Sequence, residues 1–529
     1  MKMAVPLMAM AAALATGAFA QTPPEQGPPG GASTPAANQT KEVVAEWATA
    51  PVKEREVNTH HSVMSAAAGK IQYTATAGTI TVRDNDGKPT GSVFYVAYTC
   101  DGADLRKRPI TFLYNGGPGA ASIWLHMGSF GPMRVATEDP GYVRPAPFEP
   151  FGPNPDTLLD KSDLVFIDAI GTGYSRPLGD TPGKYFWGVD QDADAFARTI
   201  IRYITKSGRW QSPKFLFGES YGTMRSAALA YQLQNRGVAV NGVALLSSVL
   251  NISDDGYDRP FIGLLPTYAA IAWYHHRVPN PPEDLAAFVQ QAEDFAEGPY
   301  AQALSQGVRL DPQARILIAQ QMSRFIGLSQ QYILNTNLRV ESQRFRKELL
   351  RDRGLTVGRE DARYTATDSD EAGEAPQSEA TNKSIQEAYI ASFASYIRKD
   401  LNYETELPYL VLAYSLRDFK WDYEHKAPGG TYPQSLPDTA VDLSAALRTN
   451  PYLQVLLLNG YFDLATPFAN TEYDVRHLQI PSDRLASIVL DYYPTGHMAY
   501  LNPQVRRSMH ADLAAFYDRA IAAATGQTH

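Results

Sequence analysis

Apolar and polar positions alternate in residues 71–76 and again in residues 93–99, with the turn-forming run 84–89 (Asp-Asn-Asp-Gly-Lys-Pro) between them. Period-two alternation on either side of such a cluster predicts a β-hairpin. Beyond it, short continuous apolar runs take over, at residues 110–114, 164–168, 214–217, 243–246, 454–458 and 488–492. Segments with helical spacing lie between these runs, at about residues 191–205, 221–236, 469–478 and 504–523. Strands that are apolar throughout and separated by helices predict an α/β fold, with a mostly parallel central sheet flanked by helices.

The alternation stops between about residues 251 and 445. The pattern there is helical, with apolar spacing at residues 285–295 and 314–325, and it reads as a helical cap insertion. It divides the α/β core into residues 56–250 and 446–529. Within the insertion, residues 341–383 are charged and poor in apolar side chains, and the acidic run 367–374 reads as a solvated loop. A calcium site there would lack EF-hand spacing.

The amino terminus has a different pattern. Lys2 precedes an apolar run over residues 3–19, and Ala18-Phe19-Ala20 offers small residues at the positions a signal peptidase reads. Residues 1–20 are therefore expected to be a removable signal peptide, and residues 21–55, which begin rich in Pro, Gly, Ala, Gln and Thr, a disordered linker. No other stretch of eighteen apolar residues occurs. The mature chain is expected to be periplasmic or secreted and to have no membrane partner.

Composition narrows the partners. Hydrophobic residues make up 44% and charged residues 19%, ordinary for a globular protein. The net charge of −9 and the absence of a basic block argue against a nucleic-acid partner. Cys100 is the only cysteine, so no intrachain disulfide can form and stability must come from packing. At the end of an apolar strand, Cys100 reads as a small core residue.

The chemistry starts at Gly218-Glu219-Ser220-Tyr221-Gly222, a G-x-S-x-G run between a predicted strand and a predicted helix. That setting exposes a serine on a sharp turn at the edge of an α/β-hydrolase sheet. The three fixed positions alone recur by chance about once per 3,000 residues. The order Ser, then acid, then His distinguishes this fold, and Asp463 and His497 each lie just past a predicted strand end in that order. Taken singly, Asp463 could be a helix N-cap and His497 an ordinary loop histidine. Together with Ser220 they form a candidate triad. The loop Tyr114-Asn115-Gly116-Gly117-Pro118-Gly119 follows a strand and can supply an oxyanion donor, assigned to the Gly117 N–H together with the Tyr221 N–H. It lacks the G-K-[ST] of a phosphate loop. The tandem pairs His60-His61 and His275-His276 read as surface or packing residues. No metal site and no cofactor is expected.

Asn115-Gly116-Gly117-Pro118-Gly119, Asp168 with Gly171-Thr172-Gly173-Tyr174-Ser175, Gly218-Glu219-Ser220-Tyr221-Gly222, Asp463 and Gly496-His497-Met498 together resemble the serine carboxypeptidases over about residues 65–520. The resemblance implies an α/β-hydrolase core and release of C-terminal residues through an acyl-enzyme. It further implies that Asn115, Gly116 and Glu219 bind the terminal carboxylate of the substrate. Glu219 can donate to a carboxylate only when protonated, and two carboxyls in contact raise a pKa, so an acidic optimum is expected. There are departures from the family pattern. Ser129 stands near the place where many members carry a second carboxylate-binding glutamate, the family's disulfides are missing, and residues 499–503 differ after the histidine.

The sequence therefore predicts an exported serine carboxypeptidase acting on peptides with a free C-terminus. An esterase or acyltransferase using the same triad is one rival, and a non-catalytic binding protein on a hydrolase fold is another.

Overall fold

The structure is a computed structural model that describes residues 50–526, apart from 51, 145–149, 253–256 and 417. The expected signal peptide and most of the linker lie outside the described residues. Nine strands form the main path of a ten-stranded sheet. They are β1 (Glu56–Ser65), β2 (Gly69–Arg83), β3 (Pro89–Cys100), β4 (Ile110–Tyr114), β5 (Asp163–Ile167), β6 (Lys214–Glu219), β7 (Gly242–Leu246), β8 (Gln454–Gly460) and β9 (Ile488–Tyr493). The spatial order is β1-β2-β3-β5-β4-β6-β7-β8-β9, and the short strand Arg176–Pro177 pairs with β3 off this path. From β5 to β9 every pairing is parallel, while β1, β2, β3 and β5 pair antiparallel. The exchange of β4 and β5 in space, followed by parallel strands in chain order, is the α/β-hydrolase arrangement, and the chain has that fold. β1 is an addition to the predicted strands. Its polar residues alternate with half-buried ones at the sheet edge, too weak a pattern to stand out in the sequence.

Successive residues of the inner strands face opposite cores. Leu113, Phe215, Phe217, Leu456 and Leu458 pack on one side with helices α1 (Ile123–Gly128), α7 (Ala380–Lys399) and α10 (Pro503–Thr525). Phe112, Leu216, Val243, Val455 and Leu457 pack on the other with α2 (Val189–Lys206), α3 (Tyr221–Asn235) and α8 (Ala440–Thr449). This two-faced burial is why the strands read as unbroken apolar runs.

The insertion is not one cap. Helices α4 (Arg259–Tyr274), α5 (Leu285–Phe295) and α6 (Pro312–Ile326) build a core of their own. That core also takes in Phe462, Leu464 and the start of α9 (Phe468–Arg476). Helix α7, by contrast, lays Tyr389, Phe393 and Tyr396 onto the sheet, and the boundary expected at residue 445 falls inside α8, which covers the opposite face. The charged stretch 341–383 is not exposed throughout. Asp368 is buried against Lys347 Nζ at 2.6 Å, and Glu379 caps α7 while accepting from Arg346 at 3.0 Å. The other acidic residues of the 367–374 run are exposed. Cys100 is half-buried at the end of β3, against the first core.

Candidate active site

Strand β6 delivers Glu219 and helix α3 begins at Tyr221, so Ser220 occupies the whole turn between them. Its φ of 61° lies in the left-handed region, strained for a residue with a Cβ. The turn is held by Ser220 N–H donating to Leu246 O at 3.0 Å and by Thr223 N–H donating to Ser220 O at 2.8 Å. A Cβ on Gly218 would lie 2.1 Å from Gly222 O, and one on Gly116 would lie 2.4 Å from Tyr221 N. Only glycine lets the strand, the turn and the Asn115 loop approach this closely.

Asp463 and His497 follow β8 and β9, as the sequence predicted, and the two adjacent strand ends bring them together. His497 Nδ1 pairs with Asp463 Oδ2 at 2.6 Å. The same carboxylate accepts from Ala465 N–H at 2.7 Å, Thr466 N–H at 3.0 Å and the Thr466 hydroxyl at 2.7 Å, which fixes its plane. Ser220 lies at the C-terminal edge of the same sheet. Among the described residues no hydrogen bond joins its Oγ to His497, whose Nδ1 is taken by Asp463.

The loop after β4 packs over the Ser220 turn. Tyr221 is the first residue of α3, where an N–H has no intrahelical acceptor. No acceptor for the Gly117 N–H is present among the described residues. The loop is braced from beneath by Asp168, whose Oδ1 accepts from Ser122 N–H at 2.8 Å and from the Tyr409 hydroxyl at 3.2 Å. Burial pushes the Asp168 carboxyl up to about 6. Ser175 Oγ in turn donates to Asp168 O at 2.8 Å, so the Asp168–Ser175 motif supports the Asn115 loop.

Glu219 points into a buried site. Tyr500 donates its hydroxyl to Glu219 Oε2 at 3.0 Å, and the Asn115 side chain also hydrogen-bonds the carboxyl. Burial pushes Glu219 up to about 7, against the opposing effects of His497, Tyr500 and Asn115. Ser129 does not join it. Its hydroxyl is buried and donates to Leu125 O at 2.5 Å, inside the last turn of α1.

Three groups at this site were not singled out from the sequence. Tyr500 is one; it sits three residues past His497 in a stretch noted only for its departure from the family pattern. Glu360 is another, a buried carboxyl carried in by the insertion. Its main-chain oxygen accepts from His497 N–H at 2.7 Å, and burial raises its carboxyl to about 7. The third is Arg225 on α3, which holds Asp192 at 2.6 Å and donates to Asn115 O at 2.7 Å with its guanidinium fully buried. A lone charged residue in an apolar helix was the only sequence signal for it. Burial works against protonation of His497, but Asp463, Glu360 and Glu219 outweigh it and raise the imidazole.

His60 bonds to Thr74 across the β1–β2 pairing, His61 bonds to Thr59 along β1, and His275 Nε2 lies 2.6 Å from Ala362 O. Among the described residues no group of three or more His, Cys, Asp or Glu side chains is placed to hold a metal ion. No helix among them is long and apolar enough to cross a membrane.

Residues 67–259 match the family model for serine carboxypeptidases. The matched span contains the Asn115 loop, the Asp168 segment and Ser220, and it ends before Asp463 and His497. No curated protein matches the sequence. Similar solved structures include proline iminopeptidase from Mycobacterium smegmatis, 15% identical, covering 84% of this chain and 99% of its own, with a TM-score of 0.36. A thermostable carboxyl esterase from Bacillus coagulans is 12% identical, covering 84% and 98%, with a TM-score of 0.34. An enantioselective mutant of the epoxide hydrolase from Aspergillus niger is 13% identical, covering 84% and 78%, with a TM-score of 0.32. At such low scores these likenesses add nothing to what the strand order already establishes. The family match and the fold support a serine hydrolase.

Proposed function

With residues 67–259 matching the serine carboxypeptidase family, we propose that the protein is an exported serine carboxypeptidase that removes C-terminal residues from peptides. Ser220 Oγ attacks the scissile carbonyl carbon and its proton passes to His497 Nε2. Asp463 holds the Nδ1–H and stabilises the imidazolium. The Gly117 and Tyr221 N–H groups receive the charge that develops on the carbonyl oxygen, a contribution of about 3 kcal/mol for each such donor. Collapse breaks the C–N bond, His497 returns the proton to the leaving amine, and water attacks the acyl-enzyme by the same route.

The observation that carries the peptidase reading is Glu219. It is a buried carboxyl adjacent to Ser220, hydrogen-bonded by Tyr500 and Asn115, and held in a range where it keeps a proton at mildly acidic pH. Protonated, it donates to the terminal carboxylate of a peptide beside Asn115 and the Gly116 N–H. Ser129, turned away to Leu125 O, leaves the esterase reading as the second choice. Comparison of kcat/KM on a blocked dipeptide, its C-terminal amide and its ester discriminates the two. A clear preference for the free acid below pH 7, lost in Ser220→Ala, is expected; equal rates on all three would sink the exopeptidase reading. Export is tested separately by sequencing the amino terminus of protein recovered outside the cytoplasm, where Gln21 is the expected first residue.

A further inference from the structure

Residues 359–363 of the insertion run between the two loops that carry Asp463 and His497. Towards the Asp463 loop, Leu464 N–H donates to Arg359 O at 3.0 Å and Ala362 N–H donates to Phe462 O at 3.0 Å. Towards the His497 loop, His497 N–H donates to Glu360 O at 2.7 Å and Gly496 N–H donates to Asp361 Oδ2 at 2.9 Å. Arg363 adds a donor to Pro494 O at 3.2 Å. The approach is close enough that a Cβ on Gly496 would lie 2.4 Å from both Asp361 Cβ and Glu360 O.

The segment is itself locked by charge. Arg363 grips Asp361 through Nε at 3.0 Å and a terminal nitrogen at 2.5 Å, and reaches Asp139 at 2.7 Å with the same terminal nitrogen. All three side chains are at most 5% exposed. Asp139 is completed by the Tyr364 hydroxyl at 3.1 Å and Asn502 Nδ2 at 3.0 Å. Desolvating three charges is costly, and apolar side chains of similar volume often serve stability as well. This cluster has a geometric product instead. Asp361 Oδ2, which takes the terminal nitrogen of Arg363, also receives Gly496 N–H, so the orientation of the ion pair sets the position of the residue before His497.

We propose that Asp361 and Arg363 are positioning residues for His497, so that the insertion, and not the α/β core alone, aligns the imidazole against Ser220. The inference rests on the serine-hydrolase reading above. Without the Asp361–Arg363 lock, the His497 loop loses the bonds at Gly496 and Pro494 and keeps His497 N–H to Glu360 O at 2.7 Å and Ser247 Oγ to His497 O at 2.6 Å, neither of which fixes the residue before His497. Displacement of a catalytic group by about 1 Å is enough for roughly a hundredfold loss of rate.

The test uses the full chain with Asp361→Asn, which can still accept from Gly496 but loses the charge that orients Arg363, and Arg363→Lys, which keeps the charge and loses the fork. Folding is checked by circular dichroism. In folded protein, kcat is expected to fall about ten- to a hundredfold with KM little changed. The downfield proton resonance of the His497 Nδ1–H, which reports its bond to Asp463, is expected to shift or broaden. Folded variants with wild-type kcat and an unmoved resonance overturn the proposal. Failure of both variants to fold overturns it too, since the lock would then be a folding element. Fluorophosphonate labelling of wild type at Ser220 reads the underlying hydrolase assignment independently: if wild type is not labelled that assignment fails, and the proton resonance alone then decides whether the lock positions His497.

Discussion

Tyr500 donates its hydroxyl to Glu219 Oε2 across 3.0 Å, from a residue three past His497 to a residue one before Ser220. The bond favours the charged form of Glu219, against the burial that raises its carboxyl to about 7. Tyr500→Phe removes the donor and pushes the carboxyl further up. Protonated Glu219 then persists to higher pH, so the alkaline limb of kcat/KM on free-acid peptides should move upward by roughly one pH unit, the worth of one hydrogen bond to a charged group. A pH–rate profile of the variant against wild type checks it; an unmoved alkaline limb with an acid limb displaced upward would mean that Glu219 acts as an anion.

Glu360 raises the His497 imidazole, together with Asp463 and Glu219. Facing the Glu360 carboxyl are His497, Glu379, Arg359 and Asn382, the last at 2.8 Å. Above about pH 7, where Glu360 is ionised, Glu360→Gln deletes one negative charge near the imidazole, which lowers the imidazole pKa. More of it is then neutral and able to accept the Ser220 proton in the range where Glu360 is otherwise charged. The acid limb of kcat/KM should therefore shift to lower pH, measured on the ester to keep substrate carboxylate effects out of the profile.

Both glutamates hold protons more tightly in the folded protein than in the unfolded chain, whose carboxyls titrate near 4.5. The stability they contribute is fully present below pH 4.5 and is lost as pH rises through about 7. Thermal midpoints should fall over that interval, and Glu219→Gln and Glu360→Gln should each flatten the fall. An equally steep decline in both variants would place the titrating groups elsewhere.

Arg225 links Asp192 on α2 to the carbonyl of Asn115 and sits 4.3 Å over the Phe196 ring. Arg225→Met leaves the Asp192 carboxylate buried without its counter-charge. Removing one partner of a buried pair costs about 3–5 kcal/mol. Denaturant unfolding should show that loss, and kcat should fall as well because Asn115 anchors the oxyanion loop.

Gly116→Ala would set a Cβ 2.4 Å from Tyr221 N, against backbone that cannot rotate away. Expected is a loss of kcat of about 10²–10³, the typical effect of removing one oxyanion donor, in a protein that remains folded by circular dichroism. Unchanged kcat would show that the Tyr221 N–H takes no part.

Much of the molecule is legible in the sequence because it is written in local pattern. Unbroken apolar strands gave away burial on both faces, and β4, α5 and the Gly218–Gly222 turn stand where the residues predicted them. Asp463 and His497 could be chosen because each directly follows a strand, and parallel neighbours end at the same edge. Other features have no local signature. Glu360 and Asp361 sit in a charged stretch that resembles any solvated segment, and the 367–374 run beside them is indeed mostly exposed. Their burial depends on Asp139 and the His497 loop, which are distant in sequence, meeting Arg363. Tyr500 likewise becomes a partner of Glu219 only through the path the chain takes after β9.

The amino-acid sequence by itself determined the strand–helix alternation, the strained serine turn, the order Ser220, Asp463, His497, and the glycines that allow the Asn115 loop to approach. These follow from steric and hydrophobic rules that act over a few residues. The tertiary structure decided what surrounds those groups: that Glu219 lies out of water beside Tyr500, that Ser129 faces its own helix, and that the insertion reaches back to grip the loop of His497. Such matters turn on which distant side chains exclude solvent and complete each other's hydrogen bonds, and short-range pattern does not encode them.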